Sequence, residues 1–179
     1  MYFNHAEIEE FCKNGYIKNY DSDCINSASL DIRLGNKILM EKKSPSKVID
    51  YRARDKMEMV EFDLSEKGIV IFPGAFFLAN TLEECDFPDD VAALFRCKST
   101  MGRYGLEHMD AGWVDPGFHG TLTLEFKLLN NCHPILLRPG DRIGQLIFIQ
   151  GLPVDPDKSY RNKGNYNGQT EPKSASYRS

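Results

Sequence analysis

Two stretches of the chain hold most of the side chains able to do chemistry. The first, KSTMGRYG from Lys98 to Gly105, sets an ammonium, two hydroxyls (Ser99, Thr100) and a guanidinium (Arg103) beside two glycines. Cations, hydroxyl donors and glycine-exposed backbone N–H groups are what phosphate oxygens require, so the composition fits an anion site. Such a stretch taken alone is more often a solvated loop with a helix cap, so the anion reading needs support from elsewhere in the chain. The second, DAGWVDPGFHGTLTLEF, runs from Asp110 to Phe126. If Asp115 opens a turn at Pro116–Gly117 and the chain returns as a strand, Thr121, Thr123 and Glu125 face one way while Leu122, Leu124 and Phe126 face the core. Glu125 is then held in a sheet. It is either a solvated outward residue or a partly buried acid whose pKa rises toward a useful value.

Such groups need a frame, and the frame reads as mostly strand. NHAEIEEFCKNG is the exception, a short helix capped by Asn4 with Glu7 at the capping-box position, Ile8 and Phe11 on one face and Gly15 at its end. SLDIRLG alternates Leu30, Ile32 and Leu34 with a polar face of Ser29, Asp31 and Arg33. GIVIFPG reads as a short buried run ended by a Pro73–Gly74 turn, and LTLEF as an alternating strand ended at Asn130–Asn131. ILLRPGDRIGQLIFI gives two strands about a Pro139–Gly140 turn. Many short strands at this spacing predict an all-β sandwich or barrel-like fold.

At 179 residues the chain is expected to form a single domain. Its final segment, residues 154–179, changes character: few aliphatics, much Gly, Asn, Ser and Tyr. It reads either as a disordered tail or as a flexible arm that orders over a ligand, with Tyr160, Tyr166 and Gln169 available for stacking and hydrogen bonds.

The net charge of −4 argues against a general nucleic-acid binder, although a local cationic cluster would still serve a small phosphorylated ligand. No apolar run approaches the roughly 18 residues of a membrane span, and MYFNHAEIEE lacks the order of a secretory signal, so a cytoplasmic protein is expected. The five cysteines, Cys12, Cys24, Cys85, Cys97 and Cys132, stand far apart and read as reduced, mostly buried small hydrophobes. His5, His108, His119 and His133 form no H-E-x-x-H, and the H-x-E with P-C-x-x-C of zinc nucleoside deaminases is missing, so no zinc site is expected. Neither G-x-S-x-G nor a P-loop occurs.

Four segments, NSASLDIRLG, CKSTMGRYGL, DAGWVDPGFHGTLTLEF and RPGDRIGQLIF, in this order and followed by YNGQ at Tyr166–Gln169, resemble the dCTP deaminase branch of the trimeric dUTPase-like superfamily. The resemblance runs from about Ile25 into the C-terminal arm. It implies a mainly β, distorted β-barrel (β-clip) fold with a short N-terminal helix, a short helix near the Ser99 loop and a C-terminal arm. It also implies a homotrimer with active sites shared between subunits, and zinc-independent deamination.

Residue by residue, Lys98, Ser99, Thr100, Met101, Gly102 and Arg103 match the phosphate and catalytic loop. Asp115 matches the acid that holds the deoxyribose 3′-hydroxyl, and Phe118 the ring beneath the sugar. Thr123, Leu124 and Glu125 match the strand that reads the pyrimidine edge, and Gln145, Tyr160, Tyr166 and Gln169 complete the implied substrate contacts. Glu125 matches the general acid/base, working on a water held by the Ala111 carbonyl and Ser99, with Arg103 as the nearby cation. An apolar residue at the place of Glu125 marks the dUTPases. Gly112 and Trp113, within AGWVDPGF, favour enzymes that carry dCTP through to dUMP and pyrophosphate.

Mg²⁺ is implied as a passenger of the triphosphate, with Asp31 a candidate for organising it through water. dUTP, and dTTP as inhibitor, are the further nucleotides implied. Asp110 stands where threonine is usual, which bears on dTTP control, and Asn165 stands where the arm usually has lysine. The competing readings are a deaminase that releases dUTP, a dUTP pyrophosphatase, and a non-catalytic nucleotide sensor.

Overall fold

The computed structural model of the chain describes residues 1–42, 47–64 and 66–175. Helix α1, His5–Lys13, begins as its sequence dictates. The Asn4 side chain accepts from Ala6 N–H at 2.9 Å and Glu7 N–H at 3.2 Å, and Glu7 Oε2 accepts from Asn4 N–H at 2.8 Å. Two orphan amide groups of the first turn and the cap's own N–H are thereby satisfied. Its buried face, Ile8 and Phe11, closes one end of the core, with Phe11 packed against Phe148 at 5.2 Å and Phe87 at 5.9 Å between ring centroids.

The remaining elements are β1 (Ile17–Lys18), β2 (Leu30–Glu41), β3 (Met59–Asp63), β4 (Ile69–Ile71), β5 (Phe76–Asp86), β6 (Val91–Cys97), α2 (Ser99–Arg103), β7 (Leu106–His108), β8 (Trp113–Val114), β9 (His119–Leu128), β10 (Ile135–Leu137), β11 (Arg142–Gln150) and α3 (Tyr160–Lys163). Among the described residues one sheet runs β7-β9-β5-β2-β11-β6-β8, with β1 added to β5 and β3 to β2, and these strands pair antiparallel throughout. Register shifts lie between Leu34 and Ile38 on β2 and between Asn80 and Glu84 on β5. There Asn80 Oδ1 accepts from Lys37 N–H at 3.1 Å, and a Cβ at Gly35 would stand 2.3 Å from Asn80 Oδ1. Bulges of this kind raise local twist and bend the strands, which curls the sheet into a half-barrel around Phe77, Phe95, Phe126 and Phe148.

One expectation needs correction, that GIVIFPG is a buried run. The polar face of SLDIRLG meets partners within the fold: Asp31 is 1% exposed and meets cationic partners, while Arg33 Nε pairs with Glu83 Oε1 at 2.7 Å. Burial pushes the Glu83 carboxyl up, against the pull of Arg33. GIVIFPG is only half buried, since Val70 is 46% and Phe72 64% exposed. Its strand β4 pairs with β10 as a separate two-stranded unit, which covers one face of the run and leaves the other outside. The strands flanking Pro139–Gly140 do not pair with each other. β10 joins β4, whereas β11 crosses to lie between β2 and β6.

The arm, in its described part 154–175, is pinned by backbone hydrogen bonds more than by apolar area. Thr121 N–H donates to Gln169 O at 2.8 Å, Gln169 Nε2 to Thr121 O at 2.8 Å, and Gly168 N–H to His119 O at 2.8 Å. Ser159 caps α3 and donates to Asp89 Oδ1 at 2.5 Å. Residues 176–179, the end of the expected arm, lie outside the described residues.

Candidate active site

β9 carries alternate side chains to opposite faces, and its polar row faces a pocket of about 590 Å³. Leu122, Thr123, Leu124 and Glu125 line it, joined by Phe76 and Leu78 of β5 and Phe95 of β6. The Glu125 side chain is 32% exposed, and its Oε2 is buried with no hydrogen-bond partner. Its backbone is held on both sides, by the register with Leu78 and by Met109 N–H donating to Glu125 O at 2.9 Å. The Glu125 side chain is thus partly buried rather than fully solvated.

The second wall is the run from Ala111 to Phe118. Gly112 is required by close approach rather than by a left-handed backbone: a Cβ there would stand 2.4 Å from Phe95 O, and Phe95 N–H donates to Gly112 O at 2.7 Å. Just before the run, Asp110 has a left-handed backbone at φ 61°, and its carboxylate meets Arg96 NH1 at 2.5 Å. Trp113, at the mouth, donates from Nε1 to Asp115 Oδ1 at 3.0 Å. The predicted turn forms, with Phe118 N–H donating to Asp115 O at 3.2 Å and Gly117 at φ 81°. It turns Phe118 inward, where its ring lies 5.7 Å from that of Tyr160.

The arm supplies the third wall through Tyr160, Tyr166, Gln169 and Lys173. Gln169 is buried, its Oε1 without a partner. A Cβ on Gly120 would stand 2.5 Å from Gln169 O, so glycine at φ 117° is what lets the arm lie this close. Glu171 reaches Lys37 Nζ at 2.8 Å, and Lys173 N–H donates to Thr123 Oγ1 at 3.2 Å, fastening the arm past the pocket.

The other predicted residues gather elsewhere. Lys98 precedes α2, and Ser99, Thr100, Gly102 and Arg103 are exposed, with Met101 half-buried; none of the six lines the pocket. Lys98 Nζ pairs with the buried Asp31, which also meets Arg142 NH1 at 3.5 Å and accepts from Asn26 Nδ2 at 2.9 Å. Gln145 accepts from Ser29 Oγ at 2.7 Å in the same network. One chain thus places Ala111 and Glu125 together and keeps Ser99 and Arg103 apart from them. Among the described residues no three His, Cys, Asp or Glu side chains are grouped to hold a metal ion. Asp31 is already met by two cations and an amide.

Two contributors were not foreseen. Ile49, Tyr51, Asp55 and Met57, from the connection between β2 and β3, and Met59, which opens β3, form part of the wall; their irregular spacing carries no periodic signal. His108 is 4% exposed, with Nε2 3.6 Å from Glu125 Oε2. A lone histidine among strands gives no hint of such a contact.

A family model described as dCTP deaminase-like matches residues 3–151. Proteins named "dCTP deaminase, dUMP-forming" are similar along most of their length. That of Sulfurihydrogenibium sp. (strain YO3AOP1) is 37% identical over 172 residues, 94% of this chain and 93% of the relative. That of Aquifex aeolicus (strain VF5) is 38% identical over 172 residues, 94% and 91%. That of Nanoarchaeum equitans (strain Kin4-M) is 36% identical over 182 residues, 92% and 90%. The crystal structure of 2′-deoxycytidine 5′-triphosphate deaminase from Agrobacterium tumefaciens superposes with a TM-score of 0.68 at 27% identity, covering 84% of this chain and 48% of that one, so this chain spans about half that length. A match over most of the sequence, on a curled β sheet whose pocket draws on DAGWVDPGFHGTLTLEF and on YNGQ among the segments that carried the resemblance, makes this chain a member of the dCTP deaminase-like family.

Proposed function

We propose that this chain hydrolyses the 4-amino group from the cytosine of dCTP and carries the product on to dUMP and pyrophosphate. The observation that carries the reading is Glu125: a carboxylate fixed in a strand, with one oxygen buried and unpartnered, on the wall of a nucleoside-sized pocket. Relatives at 36–38% identity bear the name of that reaction.

Glu125 takes a proton from water as the oxygen attacks C4 and delivers it to N3; it then takes the second proton from the new 4-hydroxyl, as the carbonyl forms, and gives it to the amino group, which leaves as ammonia. The carbonyl of Ala111, beside Gly112, orients that water. Asp115 accepts from the sugar 3′-hydroxyl, and Phe118, braced by Tyr160, packs beneath the ring. Hydrolysis of the α–β phosphate bond with a second water then yields dUMP and pyrophosphate, with Gly112 and Trp113 shaping the wall that permits both steps.

The phosphates need cations, and within one chain Lys98 and Arg103 lie off the pocket. A homotrimer in which a neighbouring copy lends its Ser99–Arg103 loop completes the site. Lys98, held by Asp31, is then pre-positioned for phosphate. Magnesium enters with the triphosphate and supplies charge neutralisation there. Among the described residues no helix is long and apolar enough to cross a membrane, and a cytoplasmic setting suits a soluble nucleotide substrate.

The test is to incubate the protein with dCTP and magnesium and separate dUTP, dUMP and pyrophosphate while measuring ammonia. One dUMP and one pyrophosphate per ammonia are expected. Accumulation of dUTP equal to the ammonia overturns the coupled reaction, and no ammonia overturns the deaminase. Glu125→Gln keeps the shape but cannot cycle a proton, so a loss of about 10²- to 10⁴-fold in deamination with nucleotide binding retained is expected.

A further inference from the structure

His108 is the one buried histidine that faces Glu125. It ends β7, where it registers opposite Phe126 of β9, and its ring is wedged edge-on between Phe95 at 4.8 Å and Phe126 at 5.7 Å between centroids. Nε2 and Glu125 Oε2 are both buried, both lack any hydrogen-bond partner, and stand 3.6 Å apart. A buried donor and a buried acceptor are costly to leave unmet, and catalytic hydrogen bonds are commonly long before substrate binds and tighten afterwards.

We propose that His108 is a positioning residue for Glu125. It carries its proton on Nε2, donates to Oε2 and so turns Oε1 toward the attacking water. The inference rests on the deaminase reading above. The arrangement has the logic of a base oriented by a third group, with the roles reversed: here the carboxylate does the proton transfer and the imidazole holds it. Because His108 touches Glu125 and not the nucleotide, its loss lowers kcat and leaves KM for dCTP nearly unchanged.

Two substitutions separate this role from plain packing. His108→Phe keeps a flat ring between Phe95 and Phe126 but has no donor. His108→Gln packs less well but retains an amide N–H of similar reach. The positioning role predicts that ammonia release falls about 10- to 100-fold in the phenylalanine variant and recovers to within about fivefold of wild type in the glutamine variant. A packing role predicts the opposite order, with the phenylalanine variant the more active and the more heat-stable. Any result in which the glutamine variant is no faster than the phenylalanine variant overturns the proposal.

The tautomer is also read in the unaltered protein by ¹⁵N histidine NMR. A proton on Nε2 of His108 is expected, and an Nδ1-only tautomer overturns the proposal without recourse to any variant. Wild-type protein that releases no ammonia from dCTP would instead sink the deaminase reading, so the two failures remain distinct.

Discussion

Replacing Gly112 by alanine adds one methyl group at the tightest point of the pocket wall. The new carbon would stand 2.4 Å from Phe95 O, well inside the 3.0 Å below which such contacts are essentially never found. Phe95 cannot yield easily. Its own N–H is bonded to Gly112 O at 2.7 Å, and its ring is 1% exposed, packed on His108 and against Gly144, where a Cβ would meet it at 2.0 Å. The segment from Ala111 to Trp113 must therefore move outward by more than about half an ångström, a local overpacking that costs about 1–3 kcal/mol. With an unfolding entropy near 2.1 cal/mol/K per residue, the melting temperature should fall by about 3–8 °C. The same shift carries the Ala111 carbonyl away from the place proposed for it beside the attacking water. A displacement approaching 1 Å costs up to about 10²-fold in rate, so a fall in kcat of about 10- to 100-fold is expected.

Scanning calorimetry and a coupled ammonia assay measure the two effects. Gly102→Ala serves as the stability control, because a Cβ there meets nothing within 4 Å. An unchanged melting temperature for Gly112→Ala would refute the steric argument, and an unchanged kcat would refute the link between Gly112 and the site.

The shared-site trimer is tested by mixing. Glu125→Gln and Arg103→Ala are each expected to be inactive, and equal amounts unfolded and refolded together should regain about a quarter of the wild-type sites, since each site draws on two neighbouring copies; no regain refutes sharing. The thiols offer a check on the core. Burial pushes Cys97 up to about 11 and Cys12 to about 12, and raises Cys24 and Cys85 as well, whereas Cys132 is exposed. A raised thiol pKa withholds the reactive thiolate until the pH nears it, so at pH 8 the Cys97 thiolate fraction is about one in a thousand. A disulfide reagent at pH 8 should find one fast thiol, lost in Cys132→Ser; a fast thiol that persists in that variant contradicts the packing described.

Local features were written in the chain. Asn4 and Glu7 cap α1 because their side chains reach amides three residues away, and the Pro116–Gly117 turn and the alternation of Leu122, Leu124 and Phe126 follow from backbone preference and the two-residue period of a strand. The ordered motifs carried the family, and with it the expectation for Glu125, because those residue types recur at fixed separations.

Only the tertiary structure decided what lies across from each residue. That Asp31 is buried against Lys98, while Phe72 is exposed, depends on which sheet each strand joined. The arm looked like a tail because its residues are polar, and it is held by backbone hydrogen bonds to β9, to which hydropathy is blind. His108 and the wall from Ile49 to Met59 reach the pocket through contacts between distant segments that no local pattern encodes. The separation of Arg103 from Glu125 is of the same kind. Twenty-two residues apart in sequence, they sit on two different surfaces of one chain, because β9 returns its acid to the pocket while α2 carries its cation out to solvent.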